Sequence, residues 1–243
     1  MAAALTGCDG ETDRPIATWL VEGTDIVAPE HGVPAGRYLV GRTLLYADTP
    51  LLLRRVVYVQ TLHGPVTLYD FTAERDGRRV ALCQPDRDGR RLALPVLDAE
   101  LRPRLTCTSG AQGKCILWGY RPWEETSRGP PLADLFAACT RMVRADYAGD
   151  GRTFTKDGVT IFVCDRFGVR PCSDKPPFAF EAAWNADGAV CLARPRLGGN
   201  APPIAPCGAD RGGSGALLYN WSMQRKCTSV GKRSSSFTSA HSV

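Results

Sequence analysis

Short apolar runs, broken often by Gly and Pro, fill the first half of the chain. Residues 38–40, 51–59 and 66–71 are rich in β-branched, aromatic and leucine side chains, which are typical of strands. Because these runs are short and separated by turn residues, we predict antiparallel strands that build a sandwich or a barrel-like sheet.

One eight-residue segment occurs twice in this half of the chain. Residues 75–82 (RDGRRVAL) recur as residues 87–94 (RDGRRLAL), with one substitution. Asp-Gly is a preferred dipeptide in tight hairpin turns, because both central residues of a type I′ turn have positive φ. The repeat predicts two successive hairpins of a meander and is too short to indicate a solenoid.

A helical pattern begins after Pro130-Pro131. Proline suits a first helical turn, Asp134 suits its positive end, and Gly149 is placed to close the C-terminus. We predict an amphipathic helix lying on a sheet. Its apolar stripe has a period of 3.6 residues and consists of Leu132, Leu135, Phe136, Cys139, Met142, Val143 and Tyr147.

Strand patterns return after the helix. We predict a strand at residues 159–164, a hairpin around Asp187-Gly188, and a Pro/Gly-rich loop over residues 194–213 held by Cys191 and Cys207. The predicted fold class is α+β: β-rich, with antiparallel sheets and one main amphipathic helix, stapled by up to four disulfides. The predicted divisions are a β-rich region at 19–125, a helix-plus-sheet region at 126–227 and a disordered tail at 228–243.

The chain contains ten cysteines, a number that bears on the compartment in which the protein folds. A chain of 243 residues can bury roughly 70–75% of its unfolded surface, so it does not need disulfides to supply a missing core. Ten cysteines therefore indicate an oxidising compartment. Zinc is disfavoured because no Cys-x-x-Cys occurs. The disulfide candidates are Cys83, Cys107, Cys115, Cys139, Cys164, Cys172, Cys191, Cys207 and Cys227.

The segment Leu5-Thr6-Gly7-Cys8 resembles a lipobox, in which a signal peptide is cut before a cysteine that is then lipidated. Residues 1–8 lack a charged and a full apolar region, so we expect a truncated signal or a start assigned too far downstream; a chance match is the alternative. Residues 9–18 are interpreted as a linker. No other stretch approaches the ~20 apolar residues of a spanning helix, so membrane contact is expected only through the lipid on Cys8.

The net charge of +5 is spread along the chain, which argues against a nucleic-acid-binding protein. The densest basic stretch, residues 75–91, contains interleaved aspartates. We interpret it as a solvated mixed-charge face, with an anion-binding surface as the alternative.

Candidate chemistry is sparse. Ser214 in a Gly-rich segment, with His63, would suit a serine hydrolase, but the Gly-x-Ser-x-Gly pattern is missing. Four aspartates at positions 146, 150, 157 and 165 lie among glycines and are interpreted as turns rather than a calcium site. Trp118 and Tyr120 are placed on a strand end, as core residues rather than a sugar-stacking platform. We predict no catalytic residue, no metal and no cofactor.

Residues 139–151 (CTRMVRADYAGDG) resemble the signature of bacterial ADYC-domain proteins, and flanking segments extend the resemblance over roughly residues 78–222. The resemblance implies an exported, often lipoprotein-like protein, and it brings no catalytic residue. The motif residues are Ala145, Asp146, Tyr147, Ala148, Gly149, Asp150 and Gly151.

The chain departs from the signature where Ala148 replaces the cysteine, while Cys164 stands where the family more usually has an aromatic residue. If Cys8 is lipidated, nine cysteines remain and one is unpaired. We hypothesise that loss of the cysteine at position 148 left its partner unpaired or led to re-pairing with Cys164.

We therefore expect an extracytoplasmic protein of the cell envelope, lipid-anchored and with a binding or structural role. Its expected partner is an unknown envelope protein or a polysaccharide, not nucleic acid. The alternative is a secreted serine-hydrolase-like enzyme that uses Ser214 and His63.

Overall fold

A computed structural model describes residues 15–29, 36–126, 129–197 and 201–223. Cys8, Cys227, most of the predicted linker and the predicted tail lie outside the described residues. The strands are β1 (Leu20–Glu22), β2 (Asp25–Val27), β3 (Thr43–Tyr46), β4 (Thr49–Thr61), β5 (Gly64–Arg75), β6 (Arg78–Ala81), β7 (Ala93–Leu97), β8 (Pro103–Cys107), β9 (Ile161–Asp165), β10 (Ala179–Asn185), β11 (Gly188–Leu192) and β12 (Leu218–Ser222). The helices are α1 (Ala111–Leu117) and α2 (Leu132–Arg144).

The first half of the chain forms a six-stranded antiparallel sheet. Its order is β3-β4-β5-β7-β8, and β6 pairs with β5. The long hairpin of β4 and β5, which turns between Thr61 and Gly64, contains the two predicted strands at 51–59 and 66–71. The predicted strand at 38–40 is wrong, because residues 38 and 39 end a 3-10 helix, Gly36–Leu39, and residue 40 lies in the turn that follows.

Only the first Asp-Gly repeat makes a hairpin. Asp76 and Gly77 both have positive φ, 52° and 69°, and join β5 to β6 as a type I′ turn requires. The prediction of a second hairpin is wrong, because the Asp86 carboxylate accepts the backbone N–H groups of Asp88 and Arg90, both at 2.9 Å. These bonds close an aspartate-centred loop that leads into β7.

The same loop recurs twelve residues later around Asp98, which accepts the N–H groups of Glu100 and Arg102. Partial burial alone would raise the pKa of the Asp98 carboxyl. Hydrogen bonds from the backbone of Arg102 and from the Arg104 and Arg102 side chains outweigh that effect and lower the pKa to about 2. The connections on both sides of β7 are thus held by ionised aspartates.

The two faces of the six-stranded sheet bury different parts of the chain. On one face, Tyr69 and Phe71 pack with Ile16 and Ile26 of the N-terminal segment, and the Tyr69 hydroxyl accepts the Ile26 N–H at 2.9 Å. On the other face, Val66 and Leu68 contact Ile116 of α1. Strand alternation thus gives this sheet a core on each side.

The second half forms a four-stranded antiparallel sheet of order β11-β10-β12-β9. Leu135, Cys139 and Met142 of α2 pack onto it, against Trp184 and Leu218. The predicted hairpin around Asp187-Gly188 is present as β10 and β11. The two helices lie between the two sheets, since α1 contacts the first sheet and α2 the second.

The predicted fold class is confirmed, as the protein is β-rich with antiparallel sheets and four disulfides. Two details differ. The short helix α1 was not predicted, and α2 ends at Arg144 rather than continuing to a closure at Gly149, because Ala145 already adopts the left-handed conformation, with φ of 52°.

All eight described cysteines are paired. Cys115–Cys139 joins α1 to α2, both cysteines being fully buried, and Cys191–Cys207 holds the Pro/Gly-rich loop as predicted. The remaining disulfides are Cys83–Cys107 and Cys164–Cys172.

Replacing Cys115 and Cys139 together by Ala is expected to lower the free energy of unfolding by about 3 kcal/mol, because the loop they close spans 24 residues. Replacing Cys164 and Cys172, which are 8 residues apart, is expected to cost about 1 kcal/mol less. Chemical denaturation of the two variants measures the difference, and peptide mapping without reduction checks the pairs. A different pairing, or the opposite order of stabilities, would contradict the assigned pattern.

Candidate functional site

The segment that follows α2 ends the helix with a Schellman motif. The N–H of Ala145 donates to the carbonyl of Met142 at 3.0 Å, and the N–H of Asp146 donates to the carbonyl of Arg141 at 2.9 Å. Glycine is the usual residue at the left-handed position. Here Ala145 occupies it fully buried, and its methyl group is part of the core beneath the helix.

Asp146 is almost fully buried and organises the loop after the helix. Its carboxylate accepts the N–H of Gly151 at 3.1 Å and a bond from Arg141 Nη1, also at 3.1 Å. The same guanidinium donates to the carbonyls of Gly149 at 2.7 Å and Ala186 at 2.6 Å. Arg141 and Asp146 therefore join the helix end to the turn between β10 and β11.

The backbone of the loop after α2 is in direct contact with the backbone of the turn between β10 and β11. A Cβ on Gly149, whose φ is 71°, would overlap the carbonyl oxygen of Asp187. The N–H of Ala189 donates to the Tyr147 carbonyl at 2.8 Å. Glycine at position 149 is thus required both by conformation and by the close approach.

Tyr147, the next residue, is buried and contacts both Trp184 and Glu181. Its ring stacks on Trp184 with a centroid distance of 5.3 Å. Its hydroxyl donates to Glu181 Oε1 at 3.1 Å and accepts the N–H of Arg196 at 2.7 Å. Burial, and next the charge of Glu181, raise the pKa of Tyr147, so the phenol stays protonated.

Glu181 and Arg196 form a buried ion pair beside this hydroxyl. Arg196 Nε donates to Oε2 at 3.0 Å and Nη2 donates to Oε1 at 2.9 Å, with the two side chains 1% and 0% exposed. The guanidinium also donates to the carbonyls of Met142 at 2.7 Å and Val143 at 2.8 Å. A positive charge thus caps the negative end of α2. We call Arg141, Asp146, Tyr147, Glu181 and Arg196 the helix-end network.

Residues 36–198 match the family model of the ADYC domain, more than half of the chain. The chain belongs to the ADYC-domain family. The match begins earlier than the resemblance at residues 78–222 and includes the whole helix-end network. No curated protein and no solved structure matched the chain.

The signature of the ADYC domain thus forms a structural junction in this chain. Ala145, Asp146, Tyr147 and Gly149 each have a packing or hydrogen-bonding reason for their identity. Ala148, at the eponymous cysteine position, is exposed. Cys164, the residue suggested for re-pairing, is buried and bonded to Cys172, and no described cysteine is unpaired.

A second buried polar pair joins the segment after α1 to the end of β9. The Tyr120 hydroxyl donates to Asp165 Oδ2 at 2.9 Å, and Asp165 also accepts the N–H groups of Phe167 and Arg170 at 2.8 and 2.6 Å. Burial, and next the charge of Asp165, raise the pKa of Tyr120. Tyr120 is fully buried, as predicted, but it follows α1 instead of lying on a strand.

The other candidates lie apart from this network. Ser214 is exposed in a 3-10 turn, where its carbonyl accepts Arg166 Nη2 at 2.8 Å. His63 lies in the turn of the β4–β5 hairpin, against Gly119. Within the described ranges no hydrogen bond joins Ser214 to His63, and no three potential metal ligands come together.

The sequence assigns no role to Glu181 or to Arg196. A carboxylate next to the apolar run Ala182-Ala183-Trp184 is a weak signal of a buried charge. Arg196 gives none, since it lies in a Pro/Gly-rich loop and finds its partner only through the tertiary fold.

Replacing Asp146 by Asn is expected to lower the free energy of unfolding by about 2 kcal/mol, because Asn cannot accept charge-assisted bonds from both Arg141 and Gly151. The matched control is Asp150→Asn, four residues along, where an exposed carboxylate meets exposed Arg152 and little change is expected. Denaturant titration of both variants measures the difference. Equal stabilities would argue against the role assigned to Asp146.

Proposed function

We propose that this ADYC-domain protein is exported, anchored to the membrane through a lipid on Cys8, and serves the cell envelope in a binding or structural role without catalysis. Its proposed partner is an envelope protein or a polysaccharide. The four disulfides are the observation that carries the proposal of export.

Those disulfides are distributed over both sheets and both helices. One is in the first sheet, one joins the two helices, and two brace the second sheet. Reducing compartments keep thiols free, whereas exported proteins acquire such bonds. This distribution supports folding outside the cytoplasm.

The internal use of the signature residues supports a non-catalytic role. The polar groups of Asp146 and Tyr147 bond to the protein itself. Catalytic groups need geometry directed at a substrate as well as a suitable pKa. The part of the ADYC domain that identifies the family therefore serves the fold.

None of the described helices has the length and apolar character needed to cross a membrane. Cys8 lies outside the described residues, so the anchor rests on the lipobox-like run Leu5-Thr6-Gly7-Cys8. Cleavage and lipidation at Cys8 would attach the folded body to the membrane through the residues between Cys8 and Ile16, since Ile16 already belongs to the core of the first sheet.

Metabolic labelling with a palmitate analogue tests the anchor. The protein made from its own gene in its native host is expected to take up the label and to partition into detergent, and Cys8→Ala is expected to lose both properties. The same samples, alkylated without reduction, are expected to protect the eight described cysteines. Unlabelled protein with reactive thiols in the cytosol would contradict the proposal.

The serine-hydrolase alternative predicts a different result, in a labelling experiment. A fluorophosphonate probe would label the protein in a manner that Ser214→Ala abolishes and His63→Ala reduces. We expect no such labelling.

A further inference from the structure

An open groove of about 430 Å³ lies on the six-stranded sheet. Asp70 and Thr72 lie on its floor, on the face that also carries Leu68, since Tyr69 and Phe71 alternate to the other side. Its volume falls in the range of about 300–1,000 Å³ that is usual for small-ligand sites. Five arginines line it, and we call it the arginine groove: Arg54, Arg55, Arg79, Arg90 and Arg91.

A β-bulge brings two of these arginines to the same side. Leu53 pairs with Phe71 and Arg55 pairs with Asp70, so Arg54 is an extra residue in β4. In a regular strand, neighbours point to opposite faces. The bulge interrupts this alternation and changes the direction in which side chains leave the strand. Both Arg54 and Arg55 are therefore exposed and line the groove.

The other arginines come from β6 and from the Asp86 loop. The sequence of residues 75–91 predicts a solvated mixed-charge face, with an anion-binding surface as the alternative. The fold separates that stretch, because Arg79, Arg90 and Arg91 join Arg54 and Arg55 at the groove while Arg78 does not line it. Sequence spacing gave no sign of this, since pairing of β4 with β5 and of β5 with β6 assembles the group.

Positive charge exceeds negative charge in the groove. Arg55 lies 3.6 Å from Asp70, and Arg90 lies 2.7 Å from Asp88. Arg54, Arg79 and Arg91 form no ion pair with any carboxylate in the described part of the chain. Arg91 Nη1 donates one bond, to the Cys83 carbonyl at 3.4 Å. Three guanidinium groups thus have no carboxylate partner and can bind an anion, since guanidinium suits bidentate oxyanion binding.

The floor of the groove offers an independent sign of a ligand. Thr72 is only 5% exposed, and its hydroxyl has no hydrogen-bond partner among the described residues. A buried polar group without a partner is costly to a fold. A ligand oxygen or hydroxyl that reaches this position would satisfy it.

We propose that the arginine groove binds an anionic sugar, that is, a sugar carrying a phosphate, sulfate or carboxylate group. The unpaired guanidinium groups bind the anion, and Asp70, Asp88 and Thr72 accept or donate hydrogen bonds with the sugar hydroxyls. Nucleic acid is disfavoured, because the described lining contains no aromatic residue on which a base could stack. The inference rests on the binding role proposed above and names the class of ligand.

Titration calorimetry of the purified full chain at low salt tests the groove with three probes: glucose 6-phosphate, glucose 6-sulfate and glucuronate. At least one is expected to bind, more tightly than inorganic phosphate or glucose, with affinity falling as salt is raised. Arg54→Gln with Arg79→Gln is expected to weaken binding about tenfold or more, since charge-assisted bonds are the strong ones. Arg78→Gln, one residue along β6 and outside the groove, is the matched control and is expected to bind as the natural chain does.

Thr72→Val separates binding from folding. Loss of an unpartnered buried hydroxyl is expected to leave the melting temperature unchanged or raised, while binding of the sugar probe weakens. No binding by any probe, equal binding by the double-arginine variant, tighter binding of inorganic phosphate alone, or preference for a DNA oligomer would overturn the inference. If one of these results is found while Cys8 is lipidated, the ligand proposed for the arginine groove is wrong and the anchor stands. If Cys8 is not lipidated while the probes bind, the anchor is wrong and the groove stands.

Discussion

The buried ion pair of Arg196 with Glu181 is the interaction on which the rest of the second half depends. Two charges with almost no exposure are stable only when every donor and acceptor around them is used. Arg196 donates to the Glu181 carboxylate and to carbonyls in the last turn of α2. Tyr147 donates a further hydrogen bond to Glu181. The pair therefore fixes the position of the helix end on β10 and of the loop after β11.

The family signature follows from that constraint. The chain must leave α2 in a left-handed turn, bury Asp146 against Arg141, direct Tyr147 at Glu181, and pass Gly149 along the carbonyl of Asp187. Ala148 is exposed and takes no part in these contacts. This explains why the chain retains the junction although the cysteine that names the family is missing.

The sequence predicted those features that local chemistry determines. Short apolar runs located β4 and β5, the 3.6-residue stripe located α2, and Asp76-Gly77 marked a true hairpin. Prediction failed where an aspartate side chain bonds to the backbone and where a residue other than glycine takes the left-handed conformation. Asp86 converted an identical Asp-Gly segment into a loop, and Ala145 ended α2 before the glycine. The partners of Arg196 and Tyr120 could not be predicted, because these contacts join segments that are distant in sequence. The same holds for Arg54 and Arg79, which line one groove only because β4, β5 and β6 pair in the fold.

A double-mutant cycle on the ion pair tests the account most directly. We expect Arg196→Met to lower the free energy of unfolding by about 3–5 kcal/mol, because it leaves Glu181 buried and unpaired. The combination with Glu181→Leu is expected to recover more than half of that loss, which gives a coupling energy well above about 1 kcal/mol. Single variants close to the natural stability, or losses that simply add, would contradict the view that this pair holds α2 on the second sheet.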